Sequence, residues 1–72
     1  MDYNVARIAR QTLVDVATPD GSVGCIDSIS TRKGVQGAYV TVGNPLCESG
    51  WFPLTGLELC GNSARKVVAQ YL

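Results

Sequence analysis

Ser49-Gly50-Trp51-Phe52-Pro53-Leu54-Thr55-Gly56-Leu57-Glu58-Leu59 decides the fold. It reads as a short aromatic and apolar strand over Trp51–Leu54, a tight turn at Thr55-Gly56, and a last short strand over Leu57–Leu59. Proline has no N–H to give to a ladder, so Pro53 places the first strand at an edge or at the start of a turn. Two residues leave room for a single turn of the three-residue helical type. Strand, one helical turn and strand form the closing step of a small β-barrel.

The residues before this stretch supply further strands. Thr12–Thr18 is a strand by its β-branched content, and Thr18-Pro19-Asp20-Gly21-Ser22 carries the chemistry of a turn. Val23–Ile29 is the second strand, with Val23, Cys25, Asp27 and Ile29 on one face and Gly24, Ile26 and Ser28 on the other. An aspartate on a mostly apolar face predicts a bend or bulge near Gly24. Ser30–Val35 reads as a polar connection with a basic tip. Gln36–Val42 is the clearest strand, with Ala38, Val40 and Val42 pointing one way and Tyr39 and Thr41 the other. Gly43-Asn44-Pro45 ends it, and a loop runs through Leu46 to Gly50.

Both ends carry helical patterns. Val5, Ile8 and Ala9 recur at helical spacing and Asp2 is placed to cap a helix from Tyr3, though the same residues suit an irregular extended lead-in. After Cys60-Gly61, Asn62 or Ser63 is placed to cap a helix of about residues 62–72. Its stripe of Ala64, Val67, Val68, Tyr71 and Leu72 falls at i, i+3, i+4, i+7 and i+8. That stripe needs a surface to cover, either a mouth of the barrel or a second copy of the chain.

Seventy-two residues make one domain, with a barrel over about residues 12–60. A chain this short buries only roughly 60% of its unfolded surface, which gives an oligomer interface added value. Six basic and six acidic residues give no net charge, which argues against strong generic attraction to nucleic acid or to an anionic membrane. The sequence has no run of the roughly 20 apolar residues a spanning helix needs and no leader pattern at its start, so a cytoplasmic location is expected. Three cysteines, Cys25, Cys47 and Cys60, cannot all pair within one chain, and in a reducing compartment they read as small buried hydrophobes.

The β pattern resembles the SH3-like barrel superfamily. The carriers are Gly21–Ile26, Ala38–Val42, and Trp51-Phe52-Pro53-Leu54 leading into Leu57-Glu58-Leu59, within a span of about Leu13 to Leu59. The run Phe52–Glu58 is also similar to the plasmid-encoded type II dihydrofolate reductases, another family of very short SH3-like chains. That resemblance implies self-association and a central pore carrying Val-Gln-Ile-Tyr just before the proline. Here Ser49 or Gly50, Trp51 and Phe52 stand in those places, so the glutamine that reads pterin and nicotinamide is missing.

Chemistry is sparse. The chain has no histidine, which excludes Cys-His and Ser-His catalysis and histidine metal sites. Cys25, Cys47 and Cys60, with Glu48 or Asp27, lack the spacing of a zinc site, and no glycine run has phosphate-loop spacing. Asp15, Asp20, Asp27, Glu48 and Glu58 lie on separate elements. No catalytic residue, metal or cofactor is expected.

The expectation is a non-enzymatic binding or adaptor module that engages a protein partner or itself. Its contact residues would be Trp51, Phe52 and Tyr39, with Tyr3 nearby and Val67, Val68, Tyr71 and Leu72 as an oligomer interface. Trp51 and Phe52 are consecutive in a strand, so one faces the core and the other the surface. The alternative is nucleic-acid binding through Arg7, Arg10, Arg32, Lys33, Arg65 and Lys66, all the basic residues of the chain. A pore-type reductase-like enzyme is the third reading.

Overall fold

The computed structural model describes residues 1–43 and 48–72. Asp2 opens the first helix, α1 (Tyr3–Thr12), its carboxylate accepting the Asn4 N–H at 2.9 Å. The helix buries Ala6, Ile8 and Ala9 and leaves Arg7 and Arg10 exposed. It runs further than the β-branched residues after it predict. Thr12 Oγ1 donates back to the Ile8 carbonyl at 2.7 Å, and Leu13 ends the helix in the left-handed region at φ 58°. The strand expected from Thr12 is therefore only β1 (Val16–Ala17).

Four more strands follow: β2 (Val23–Arg32), β3 (Val35–Val42), β4 (Glu48–Pro53) and β5 (Glu58–Leu59). A one-turn 3-10 helix at Leu54–Gly56 joins β4 to β5. All pairings are antiparallel, in the order β4-β3-β2-β1-β5. Val16 of β1 pairs with Gly24 on one side and Leu59 on the other. The edge strands β4 and β5 are not paired with each other among the described residues, so hydrogen bonding does not close the sheet into a barrel. Pro53 is the last residue of edge strand β4, where its missing N–H costs no ladder bond. Asn44 and Pro45 of the expected turn and Leu46 and Cys47 of the loop after it lie outside the described residues, while Glu48–Gly50, expected as loop, are the first half of β4.

β2 carries a bulge, at Asp27 rather than near Gly24. Ile26 pairs with Val40 and Ser28 with Tyr39, so two steps on β2 oppose one on β3 and Asp27 is the extra residue. The bulge resets the alternation: Ile26 before it and Ile29 after it both reach the core, while the Asp27 side chain stays exposed. The main core joins Ala6 and Ala9 of α1 to Val16, Ile26, Ala38, Val40, Leu54 and Leu57. Phe52, Val42 and Leu59 pack against it.

Two turns set the strand register. Between β1 and β2, the Asp20 carboxylate accepts from Thr18 Oγ1 and from the Ser22 N–H. These bonds, the one from Thr18 first, hold its pKa below the ordinary value. Between β2 and β3, the segment read as a polar connection is instead strand on both sides of a two-residue turn. Lys33 and Gly34 both take positive φ, 50° and 79°, as a type I′ turn requires. Lysine is a poor choice there, because its Cβ crowds the backbone in the left-handed region. Lys33→Asn is expected to stabilise the protein by about 0.5–1 kcal/mol, read as a higher urea midpoint at unchanged slope.

The last helix, α2 (Gly61–Ala69), packs on α1. Cys60 stands at its N-cap without a side-chain bond, so Asn62 and Ser63 lie inside the first turn instead of capping it. Of the expected stripe, Ala64 and Val68 are buried and Val67 is half-buried. The helix stops before Tyr71 and Leu72, which are 57% and 73% exposed. Val68, only 2% exposed, belongs to the chain's own interior and has no surface for a second copy. No helix among the described residues is long and apolar enough to cross a membrane.

Candidate functional site

The outer face of β2, β3 and β4 gathers the aromatic residues that the core does not use. Strand alternation sends Ala38, Val40 and Phe52 inward, and their neighbours Tyr39 and Trp51 outward. Tyr39 and Trp51 are direct cross-strand partners, both half-buried. Beside them on the same face, Thr41 Oγ1 and Ser49 Oγ share a hydrogen bond at 3.1 Å. Phe52 packs on the core, so the expected pairing of Trp51 with Phe52 as contact residues reduces to Trp51, with Tyr39 as its neighbour.

Trp51 lies on a glycine floor. A Cβ at Gly37 would overlap Cζ2 and Cε2 of the indole and come within 2.6 Å of the Phe52 carbonyl oxygen. Only glycine lets the ring lie this close to the β3 backbone. Above the rings lies the Arg32 guanidinium, its central carbon 5.2 Å from the Tyr39 centroid and 5.2 Å from the Trp51 centroid. An Arg32 N–H donates to the Tyr39 hydroxyl. Each cation–π contact contributes about 0.5–1 kcal/mol at an exposed site. Together these contacts favour this one placement of the exposed Arg32 side chain. Trp51 Nε1 is buried without a partner among the described residues. A buried donor left unpaired costs about 1–3 kcal/mol.

The six basic residues do not converge. Arg7 and Arg10, with Tyr3, Ser28 and Ile29, line a shallow groove of about 280 Å³ between α1 and β2. Arg10 Nε donates to the Asp27 carbonyl, the bulge residue, at 3.0 Å. Arg32 and Lys33 lie at the far end of the same strand. Arg65 belongs elsewhere, lining a hollow of about 470 Å³ together with Asp2, Val5 and Glu58. Lys66 is exposed on α2 and lines neither cavity.

No cluster of potential metal ligands is present among the described residues. Cys25 and Cys60 are free and half-buried, the Cys25 thiol donating to the Leu13 carbonyl at 3.5 Å. Cys47 and the Glu48 side chain lie outside the described part. Among the carboxylates, Asp15 lines a small cavity with Leu13 and Val67, and Asp20 is engaged in its turn.

From the sequence, Arg32 stands out only as one of the basic residues and Gly37 not at all. The signal that would have linked them was the Lys33-Gly34 turn. Once it is read as a two-residue hairpin, Arg32 falls opposite Val35, and Ser30 opposite Gly37. Beyond the Asp27 bulge, the odd residues of β3 then share a face with the even residues of β2. Compared with protein-family models, with curated proteins and with solved structures, the chain matches none.

Proposed function

We propose that this chain is a non-enzymatic binding module that engages a protein partner through the outer face of β2, β3 and β4. The observation that carries the reading is the layered cluster of Gly37, Trp51, Tyr39 and Arg32. Tryptophan, tyrosine and arginine are the residues most enriched where binding energy concentrates, because they offer large area and directed donors at low entropic cost. Here all three meet on one rigid sheet face.

An SH3-like small barrel is the fold we propose for it. The strand order β4-β3-β2-β1-β5 and the 3-10 turn between β4 and β5 support that assignment. Self-association would fall to Val67, Tyr71 and Leu72, the part of the α2 stripe that is not buried.

The test is selection of ligands from a random-peptide display library on the wild-type protein. Selected ligands are expected to lose about 30-fold in affinity on Trp51→Ala, the equivalent of about 2 kcal/mol at a central contact. Arg32→Ala, at an exposed position, serves as the companion variant in case Trp51→Ala loosens the sheet. Ligands that bind both variants as tightly as wild type would overturn the assignment of this face. Nucleic-acid binding is the second reading, favoured by Arg7 and Arg10 in the groove beside β2 and by Arg32 and Lys33 at its hairpin end.

A further inference from the structure

Taking the Arg32–Tyr39–Trp51 face as the contact surface, we infer that the partner segment is an extended acidic peptide lying along β2, from the α1–β2 groove to the hairpin tip. The first support is the state of the two arginines. The hydrogen bond of Arg32 goes to a tyrosine hydroxyl and that of Arg10 to a backbone carbonyl. Both acceptors are neutral, so these bonds fix the guanidinium groups without balancing their charge. A positioned fork with donors to spare matches a carboxylate in two-point geometry.

The second support is how charge is distributed in a chain of zero net charge. Arg7 and Arg10 of α1 line the groove beside β2, Arg32 ends β2 with Lys33 in the turn after it, and the acidic residue of β2 itself is Asp27. Asp2 and Glu58 line the separate hollow with Arg65, and Asp20 is held in the β1–β2 turn. The β2 side is therefore locally positive, while the whole molecule exerts no long-range pull on a polyanion.

Spacing and backbone favour a peptide over nucleic acid. Ser28, at the groove, and Arg32 are four residues apart on one strand, about 13 Å at strand rise. An extended peptide with acidic residues four apart spans the same distance. Among the described residues β1 pairs with β2 only at Val23 and Gly24, and beyond them β2 has no strand on the edge away from β3. An extended segment can bond to such an edge, while side-chain contacts give the selectivity. Tyr3 and Ile29 in the groove give an apolar residue between the two acids a place to rest.

The experiment is fluorescence anisotropy with a dye-labelled peptide carrying two glutamates four residues apart around a leucine. Its glutamine counterpart and a labelled oligothymidylate are measured beside it. The glutamate peptide is expected to bind about tenfold more tightly than the glutamine one, with the advantage lost on Arg32→Gln and on Arg10→Gln and kept on Lys66→Gln. Equal binding of the two peptides would overturn the inference. Tighter binding of the oligothymidylate would overturn it in favour of nucleic acid. Selected library ligands that need Trp51 but carry no acidic residues would keep the contact face and overturn the acidic partner. Finding no ligand that needs Trp51 would overturn both.

Discussion

Ile26→Ala is expected to lower the unfolding free energy by about 2–5 kcal/mol. A domain of this length has roughly 4–11 kcal/mol in total, so the variant would sit close to the unfolding threshold at room temperature. Ile26 is 1% exposed and is among the largest fully buried side chains. It sits immediately before the Asp27 bulge, facing Val40 across the ladder. Truncation removes transfer free energy and leaves a cavity that a strand laddered to β3 at this point fills only in part. Urea unfolding followed by circular dichroism measures it, with Ile26→Val expected to lose about 0.5–1.5 kcal/mol. A loss under about 1 kcal/mol for the alanine variant would show that Ile26 is not central to the core.

Gly24→Ala is expected to cost about 3 kcal/mol or more, at the upper end for overpacking. Its Cβ would overlap the Thr41 carbonyl oxygen and lie 2.9 Å from the Thr41 carbonyl carbon, with Val40 Cγ1 at 3.1 Å. A side chain in that position could rotate away, but a backbone carbonyl in a ladder cannot. β2 would have to part from β3 at the point where it also pairs with β1. Gly50→Ala is the control: the nearest atom is Phe52 Cε2 of a side chain at 3.2 Å, and a loss below about 1 kcal/mol is expected. Thermal melts of the two variants side by side measure the difference. Equal melting temperatures would show that the approach at Gly24 is not tight.

Much of the fold was legible because local chemistry and the tertiary answer agree. Trp51 and Phe52 alternate as a strand requires, whereas Asp2 with Val5, Ile8 and Ala9 suits a helix and an extended lead-in alike until packing of Ala6, Ile8 and Ala9 decides for the helix. The misreadings fall where a local preference lost to a neighbour. Thr12 looked like a strand residue, yet its hydroxyl closes the last turn of α1. The polar stretch Ser30–Val35 looked like a loop because both sides of the hairpin end face water, which removes the apolar alternation that marks a strand. The bulge was anticipated from Asp27 but placed near Gly24, since composition signals an irregularity without fixing its register. The face proposed for binding was half-legible. Tyr39 and Trp51 could be named from alternation, whereas Arg32 and Gly37 join them only through cross-strand register. Val68 illustrates the opposite limit, because a helical stripe does not reveal which of its turns finds a partner inside the same chain.

The strand order also divides the molecule by how much chain must fold back before two strands can meet. β2 meets β3 across the two residues Lys33 and Gly34, whereas β1 meets β5 only when Val16 finds Leu59. Closing the longer loop costs more chain entropy, so the β2–β3 hairpin assembles early and the β1–β5 ladder late. Changes at the hairpin turn therefore act on the folding rate, and changes at β5 on the unfolding rate. Arg32 and Tyr39 stand on the early hairpin, so that part of the proposed binding face takes shape before the sheet is complete.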